Sequence, residues 1–260
     1  MPADPTGSLV LGIPLLCSFL LVLARVSGVF AFVPIPGLSS GPPMARIVLS
    51  VGVTLALFSC WPRVDTTTLD AARMLLWMLP EIAVGVTIGL GVALILEIFL
   101  TAAQVLSLNA GFSFAQTIDP TTQAESGVLL VVAQLTGGLA FIALGLDREV
   151  IRTLAYSLET HPAGAWLTRP AAESILRLGG DMLALAMRLA LPGLALLILA
   201  DLALGLLGRL NAQLQLLMLA FPIKMMGALL LLAWMMVLIP KVLGGYGGVV
   251  FGTLRQALRF

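Results

Sequence analysis

With 60% hydrophobic and only 10% charged residues in 260, and a mean hydropathy of +1.08, the chain falls outside the soluble globular class. A net charge of +1 excludes a nucleic-acid binder, which requires a clustered basic face. Lipid or other apolar subunits must take the place of water over most of its surface.

The N-terminus MPADPTGS lacks a positive n-region, and the apolar run behind it has no small-residue cleavage site, so no cleavable signal is expected. Six apolar blocks follow in chain order: Leu9–Val33, Ile47–Trp61, Met74–Ala103, Gly127–Leu146, Met182–Leu207 and Leu216–Ile239. Uninterrupted runs of 18 residues at Gly7–Ala24 and 19 at Val128–Leu146 suffice for a bilayer span. Those at Ile47–Trp61 and Ile82–Leu96 reach 15, and Leu189–Ala200 only 12. A lipid-facing helix wants about 20. Several blocks are therefore expected to be helices partly surrounded by protein, or hairpins. No internal repeat and no long linker divides the chain, which reads as a single membrane domain over 1–260.

Charges inside these blocks support the same expectation. Arg25, Glu81, Glu97, Arg188, Asp201 and Lys224 are costly in hydrocarbon and must face a partner or water. Arg25 and Glu97 leave a second reading open, snorkelling to an interface. Asp181 and Arg188 lie two turns apart on one helix face, so each needs a partner from elsewhere. Pro80-Glu81 reads as a helix start, with the acid at the positive end of the helix dipole. Pro192 and Pro222 fall within apolar blocks and are expected to kink them. Gly85, Gly89 and Gly91 permit close helix packing. Gly244, Gly245, Gly247 and Gly248 are expected to break the chain after the last block.

Between the third and fourth blocks lies NAGFSFAQTIDPTT, residues 109–122, and no Lys or Arg occurs from Gln104 to Ser126. Gly111 loosens the backbone; Pro120 removes an amide donor and pushes Asp119 toward an extended conformation. Irregular backbone near membrane depth is tolerated only where it is buried in protein or lines a water-filled path, which makes this segment a candidate gate or binding loop. On a six-span reading, nine loop cations fall on one side and two, Arg46 and Arg209, on the other. The positive-inside rule then places both termini in the cytoplasm and 104–126 outside. Arg148, Arg152, Arg169 and Arg177 belong to a membrane-flanking loop in this scheme.

Catalytic groups are scarce. His161 is the single histidine, and ETHPAG reads as a polar turn that leaves it at the surface. Gly111-Phe112-Ser113-Phe114 lacks the second glycine of a nucleophile elbow. Cys17 and Cys60 sit in apolar runs without metal-ligand spacing and read as small buried hydrophobes. Asp119 and Glu125 fit no metal or acid–base pattern. The chain reads as a non-enzyme without cofactor or metal.

These segments together resemble the FliR family of flagellar type III export-gate subunits. The resemblance runs through ARVSGVFAFVPIPG (24–37), PEIAVGVTIGLGVALILE (80–97), NAGFSFAQTIDPTTQ (109–123), LALPGLALLILADLALGLLGRL (189–210) and AFPIK (220–224). The G-hydrophobic-S-F-A…DP pattern is the most specific piece. Where the family shows R-x-x-P-Q-x-N, this chain has Arg209-Leu210-Asn211-Ala212-Gln213-Leu214-Gln215, without the Pro and the final Asn. The resemblance implies an all-α integral membrane protein of about six apolar helical segments, several kinked or hairpin-like, with an irregular loop between the third and fourth. It implies a bacterial inner-membrane, basal-body location and an assembly with FliP-, FliQ- and FlhB-like subunits through which unfolded substrates pass. It also implies that Asn109, Gly111, Phe112, Ser113, Phe114, Ala115, Asp119 and Pro120 belong to a pore plug, and it makes the charges above, with Arg209, inter-subunit or intramembrane contacts. The injectisome subunit SctT is a close relative. A small-solute transporter with 109–122 as a broken-helix site is the other reading, disfavoured because only one half of the chain is interrupted.

Overall fold

A computed structural model describes residues 5–33, 43–62, 64, 70–111, 128–210 and 216–258. Among these residues there are seven α-helices, one 3₁₀ turn and no strand. They are α1 (Pro5–Phe32), α2 (Pro43–Ala56), the 3₁₀ turn Phe58–Cys60, α3 (Ala71–Ala110), α4 (Val128–Ala143), α5 (Leu146–Thr160), α6 (Arg169–Leu210) and α7 (Leu216–Ala257). The six apolar blocks correspond to all of these helices except α5.

Helix length is where the structure departs most from the sequence reading. Helices α3, α6 and α7 contain 40, 42 and 42 residues. At 1.5 Å per residue each is about 60 Å long, twice the thickness of a hydrocarbon core. Four segments are long and apolar enough to cross a membrane: Gly12–Phe32, Ala72–Ala110, Ala171–Arg209 and Pro222–Ala257. Counting α4 and α5 as one broken span gives five, and α2 is too short. The chain is thus a multi-pass membrane protein by helix length and composition.

Three local expectations are corrected. Pro80 does not start a helix, because α3 begins at Ala71 and passes through it. The glycines from Gly244 to Gly248 do not break the chain, because α7 continues to Ala257. An interrupted backbone in apolar surroundings has no water for its freed N–H and C=O groups, and this outweighs the roughly 1 kcal/mol helix penalty of each glycine. Nor do Arg148, Arg152, Arg169 and Arg177 lie in a loop: the first two are in α5 and the others in α6. Gly145, at φ 69°, ends α4 and starts α5, whose Leu146, Val150, Leu154 and Leu158 recur every fourth residue and are buried. The true turn is only 161–168, where Gly164 takes φ 78°.

The chain forms two compact units, the first made of 1–94, 145–178 and 247–260, the second of 95–144 and 179–246. In the first, Leu21, Val22, Val26 and Val29 of α1 are buried, as are Val84, Ile88 and Val92 of α3 and Val250 and Leu254 of α7. Helices α1 and α3 touch backbone to backbone. A Cβ on Gly28 would lie 2.9 Å from the Ile82 carbonyl oxygen, and one on Gly85 would overlap the Arg25 carbonyl. In the second unit, Phe99, Ala102 and Leu106 of α3 are buried, with Leu129 and Phe141 of α4, Ala186 and Ala190 of α6, and Leu232 and Met235 of α7. Small residues again admit neighbours there: a Cβ on Gly193 would come within 2.8 Å of Leu106.

Replacing Gly85 with Val is expected to destabilise the first unit by about 1–3 kcal/mol or more, because backbone rather than a flexible side chain must move. Gly244→Ala, with nothing within 4 Å of its Cβ, is expected to be neutral or slightly stabilising. Thermal unfolding in detergent compares the two; equal midpoints would contradict the close α1–α3 contact.

Candidate functional site

The deepest polar feature of the first unit is Arg25, the largest fully buried side chain in the chain's described residues, 1% exposed. Its Nε donates to Glu81 Oε2 at 2.6 Å. Its Nη1 donates to the Ser157 carbonyl at 2.6 Å and to Ser157 Oγ at 3.3 Å, and Nη2 reaches the His161 carbonyl at 3.5 Å. The other oxygen of Glu81, Oε1, accepts the Gly164 backbone N–H at 3.0 Å. One guanidinium and one carboxylate therefore join α1, α3, the end of α5 and the turn before α6. Planarity and five fixed donors suit arginine to this junction in a way lysine cannot match.

His161 corrects the expected surface histidine: it is 2% exposed and lies inside this node. Its Nε2 is 3.0 Å from the Ala165 carbonyl, which makes that nitrogen the donor. Burial is the first cause that holds its pKa below the usual 6.5; Arg25 acts in the same direction, while the Ala165 hydrogen bond and Glu81 oppose it. Cys60, expected to be a buried hydrophobe, is instead half-buried, with its Sγ 3.8 Å from Glu159 Oε1. Burial and the neighbouring carboxylate raise its thiol pKa, so it is not an activated nucleophile.

In the second unit Lys224 pairs with Asp201 at 2.8 Å. The remaining expected charges behave differently. Glu97, Arg188 and Arg209 are exposed, and among the described residues none of them forms an ion pair. Arg25 does not snorkel, while Glu97 stands at the helix surface. Of the expected plug residues, Asn109 and Gly111 close α3, with Asn109 Nδ2 donating to the Val105 carbonyl at 2.8 Å and Gly111 at φ 87°. Phe112, Ser113, Phe114, Ala115, Asp119 and Pro120 lie outside the described residues. Ser157 and Gly164 had no distinguishing mark in the sequence. The four-residue apolar rhythm of 146–158 did mark the helix that carries Ser157.

An all-helical multi-pass membrane protein emerges, with one buried ion pair, a second joining α6 to α7, and further charges standing exposed on apolar helices. The chain belongs to the bacterial export proteins, family 1, whose family model matches residues 16–246, and so to the FliR family of the sequence reading. It is 28% identical over 225 residues to the flagellar biosynthetic protein FliR of Escherichia coli K12, covering 84% of this chain and 83% of that protein. It is 29% identical over 214 residues to the FliR of Pectobacterium carotovorum, covering 82% of each. To the FliR of Bacillus subtilis 168 it is 26% identical over 250 residues, covering 95% of this chain and 96% of the relative.

Arg25→Met leaves Glu81 buried without its cation and is expected to destabilise by about 3–5 kcal/mol, whereas Arg25→Met with Glu81→Gln recovers much of the loss. Double-mutant thermal unfolding in detergent reads this directly. Because the folded pKa of His161 lies below its unfolded value, the folded state binds fewer protons. Stability should therefore be full above about pH 6.5 and fall as the pH drops below it. A His161→Gln variant should lose most of that slope; an unchanged profile would remove His161 from the acid response.

Proposed function

We propose that the chain is a non-enzymatic membrane subunit of the flagellar protein-export gate. It assembles in the bacterial inner membrane, within the basal body, with FliP-, FliQ- and FlhB-like subunits around a path for unfolded substrates. The observation that carries this reading is the uneven coverage of its helices. The candidate spans in α1 and α3 are 56% and 61% buried, but those in α6 and α7 only 17% and 28%. Arg188 stands exposed in the middle of the least covered one. A bare arginine at that depth in lipid would cost several kcal/mol, and partner subunits remove the cost. The flagellar branch is preferred over the injectisome branch because the relatives described above all carry flagellar names.

The plug role rests on chemistry. Phe112 and Phe114 supply bulk for a constriction, and Asn109, Ser113, Gln116 and Thr117 can satisfy backbone groups when the loop is displaced. The absence of Lys and Arg from 104 to 126 leaves nothing to hold an anionic partner. A gate is drawn from the low-stability end of a structure, and a segment carrying Gly111 and Pro120 suits that need.

Co-expression with FliP-, FliQ- and FlhB-like subunits should yield a complex of defined mass. Arg188→Leu should reduce co-purification while membrane insertion persists; normal co-purification would sink the assigned contact. Deleting Gly111–Ala115 should let small ions leak through the assembled complex. Background permeability in an intact complex would mean the segment is not a plug.

A further inference from the structure

In the second unit, α3 turns outward a face unlike the other exposed helix surfaces. Four residues between Ile95 and Ala110 are exposed, and three of them are polar: Glu97, Gln104 and Asn109, with Leu108 the fourth. The half-buried Thr101 lies between Glu97 and Gln104, and steps of four and three residues put these three side chains on one side of the helix. The opposite side, with Ile98, Phe99, Ala102 and Leu106, is buried in the unit. On α6, by contrast, the exposed positions from Leu183 to Leu206 are apolar except for Arg188 and Asp201, and Asp201 is paired with Lys224.

Depth makes this face costly unless something polar meets it. Glu97 lies within the candidate span Ala72–Ala110, about 20 Å along the axis from its Ala110 end. Among the described residues, neither Glu97 nor Gln104 has an ion-pair or hydrogen-bond partner. Lipid would leave the carboxylate and the amide unsatisfied. A partner helix would have to bring a cation to Glu97 and matched polar groups to Thr101 and Gln104, one and two turns further on. Water satisfies all three at once. One turn beyond Gln104 the helix closes at Asn109, the first residue assigned to the plug, so this face leads directly to the candidate gate.

Resting on the reading of the chain as an export-gate subunit, we propose that this face of α3 lines the aqueous path, where Glu97, Thr101 and Gln104 meet an unfolded substrate in passing. The hydroxyl and the amide exchange hydrogen bonds with the backbone of an extended chain of any sequence. The carboxylate draws in Lys and Arg side chains, and no second acid on the face holds them. A lining that binds weakly at several points lets a chain both enter and leave.

The test uses the complex of the full chain with FliP-, FliQ- and FlhB-like subunits, purified in detergent, in a Cys17→Ser, Cys60→Ser background. Single cysteines are placed on the face by Glu97→Cys, Thr101→Cys and Gln104→Cys. Controls are Ile98→Cys and Ala102→Cys on the buried side, and Leu199→Cys on the exposed apolar surface of α6. Charged methanethiosulfonate reagents, one cationic and one anionic, modify thiols that water reaches and ionises. The three face cysteines should react at least about tenfold faster than the controls. Thr101→Cys should favour the cationic reagent by about fivefold, because Glu97 stands one turn away, and adding Glu97→Gln should abolish that preference. Thr101→Cys is nearly isosteric, so this reporter stands even if Glu97→Cys fails to assemble. Face cysteines no faster than Ile98→Cys, in a complex of the expected mass, would overturn the assignment while leaving the gate reading intact. A charge preference that survives Glu97→Gln would do the same. Failure to obtain any complex of defined mass would overturn both.

Discussion

A guanidinium taken fully out of water fixes more of this protein than any apolar contact does. Arg25 can be buried because its three nitrogens all find acceptors: a carboxylate on α3, a carbonyl and hydroxyl at the end of α5, and a carbonyl in the following turn. Apolar packing among Leu, Ile and Val is permissive and tolerates sliding by a residue or a turn. A forked donor set does not. The value of the Arg25–Glu81 pair lies in register more than in net free energy, since buried ion pairs often do no better than apolar replacements. The backbone contact of Gly28 with α3 completes the constraint, because the pair can close only where α1 and α3 come this near.

The same logic appears in the second unit on a weaker footing. Asp201 and Lys224 meet at 2.8 Å, but the aspartate is 53% exposed, so solvent or neighbouring groups screen the pair. The Arg25–Glu81 and Asp201–Lys224 pairs each join segments that carry the family resemblance: 24–37 with 80–97, and 189–210 with 220–224. Family motifs thus include places where separate helices are tied together.

How much of this was legible in the sequence depended on which kind of signal carried it. Composition and unbroken apolar runs identified helices and a membrane setting, and the cost of charge in hydrocarbon picked out Arg25, Glu81, Asp201 and Lys224 as residues in need of partners. Who the partners were was not readable, because Arg25 and Glu81 are 56 residues apart and no local pattern connects them. Pro80 and the glycines from Gly244 onward misled for one reason. Their breaking power is calibrated in water, whereas here an opened backbone has no solvent to turn to. His161 misled because Pro162, Gly164 and the acid before it look like a solvated turn, and only the fold shows the turn folded inward onto Arg25. The expectation of irregular backbone at the candidate gate came from Gly111 and Pro120, and its task from family resemblance rather than from its residues.

The poor coverage of α6 has a consequence for the life of the chain before assembly. A helix of 42 residues with more than four-fifths of its candidate span uncovered is a liability when alone in a membrane. Its exposed Leu183, Leu191, Leu199 and Leu206 invite aggregation, and Arg188 strains against lipid. Whatever covers that surface in an assembly also removes this liability. A helix surface that is stable only when covered would tie the lifetime of the chain to its assembly.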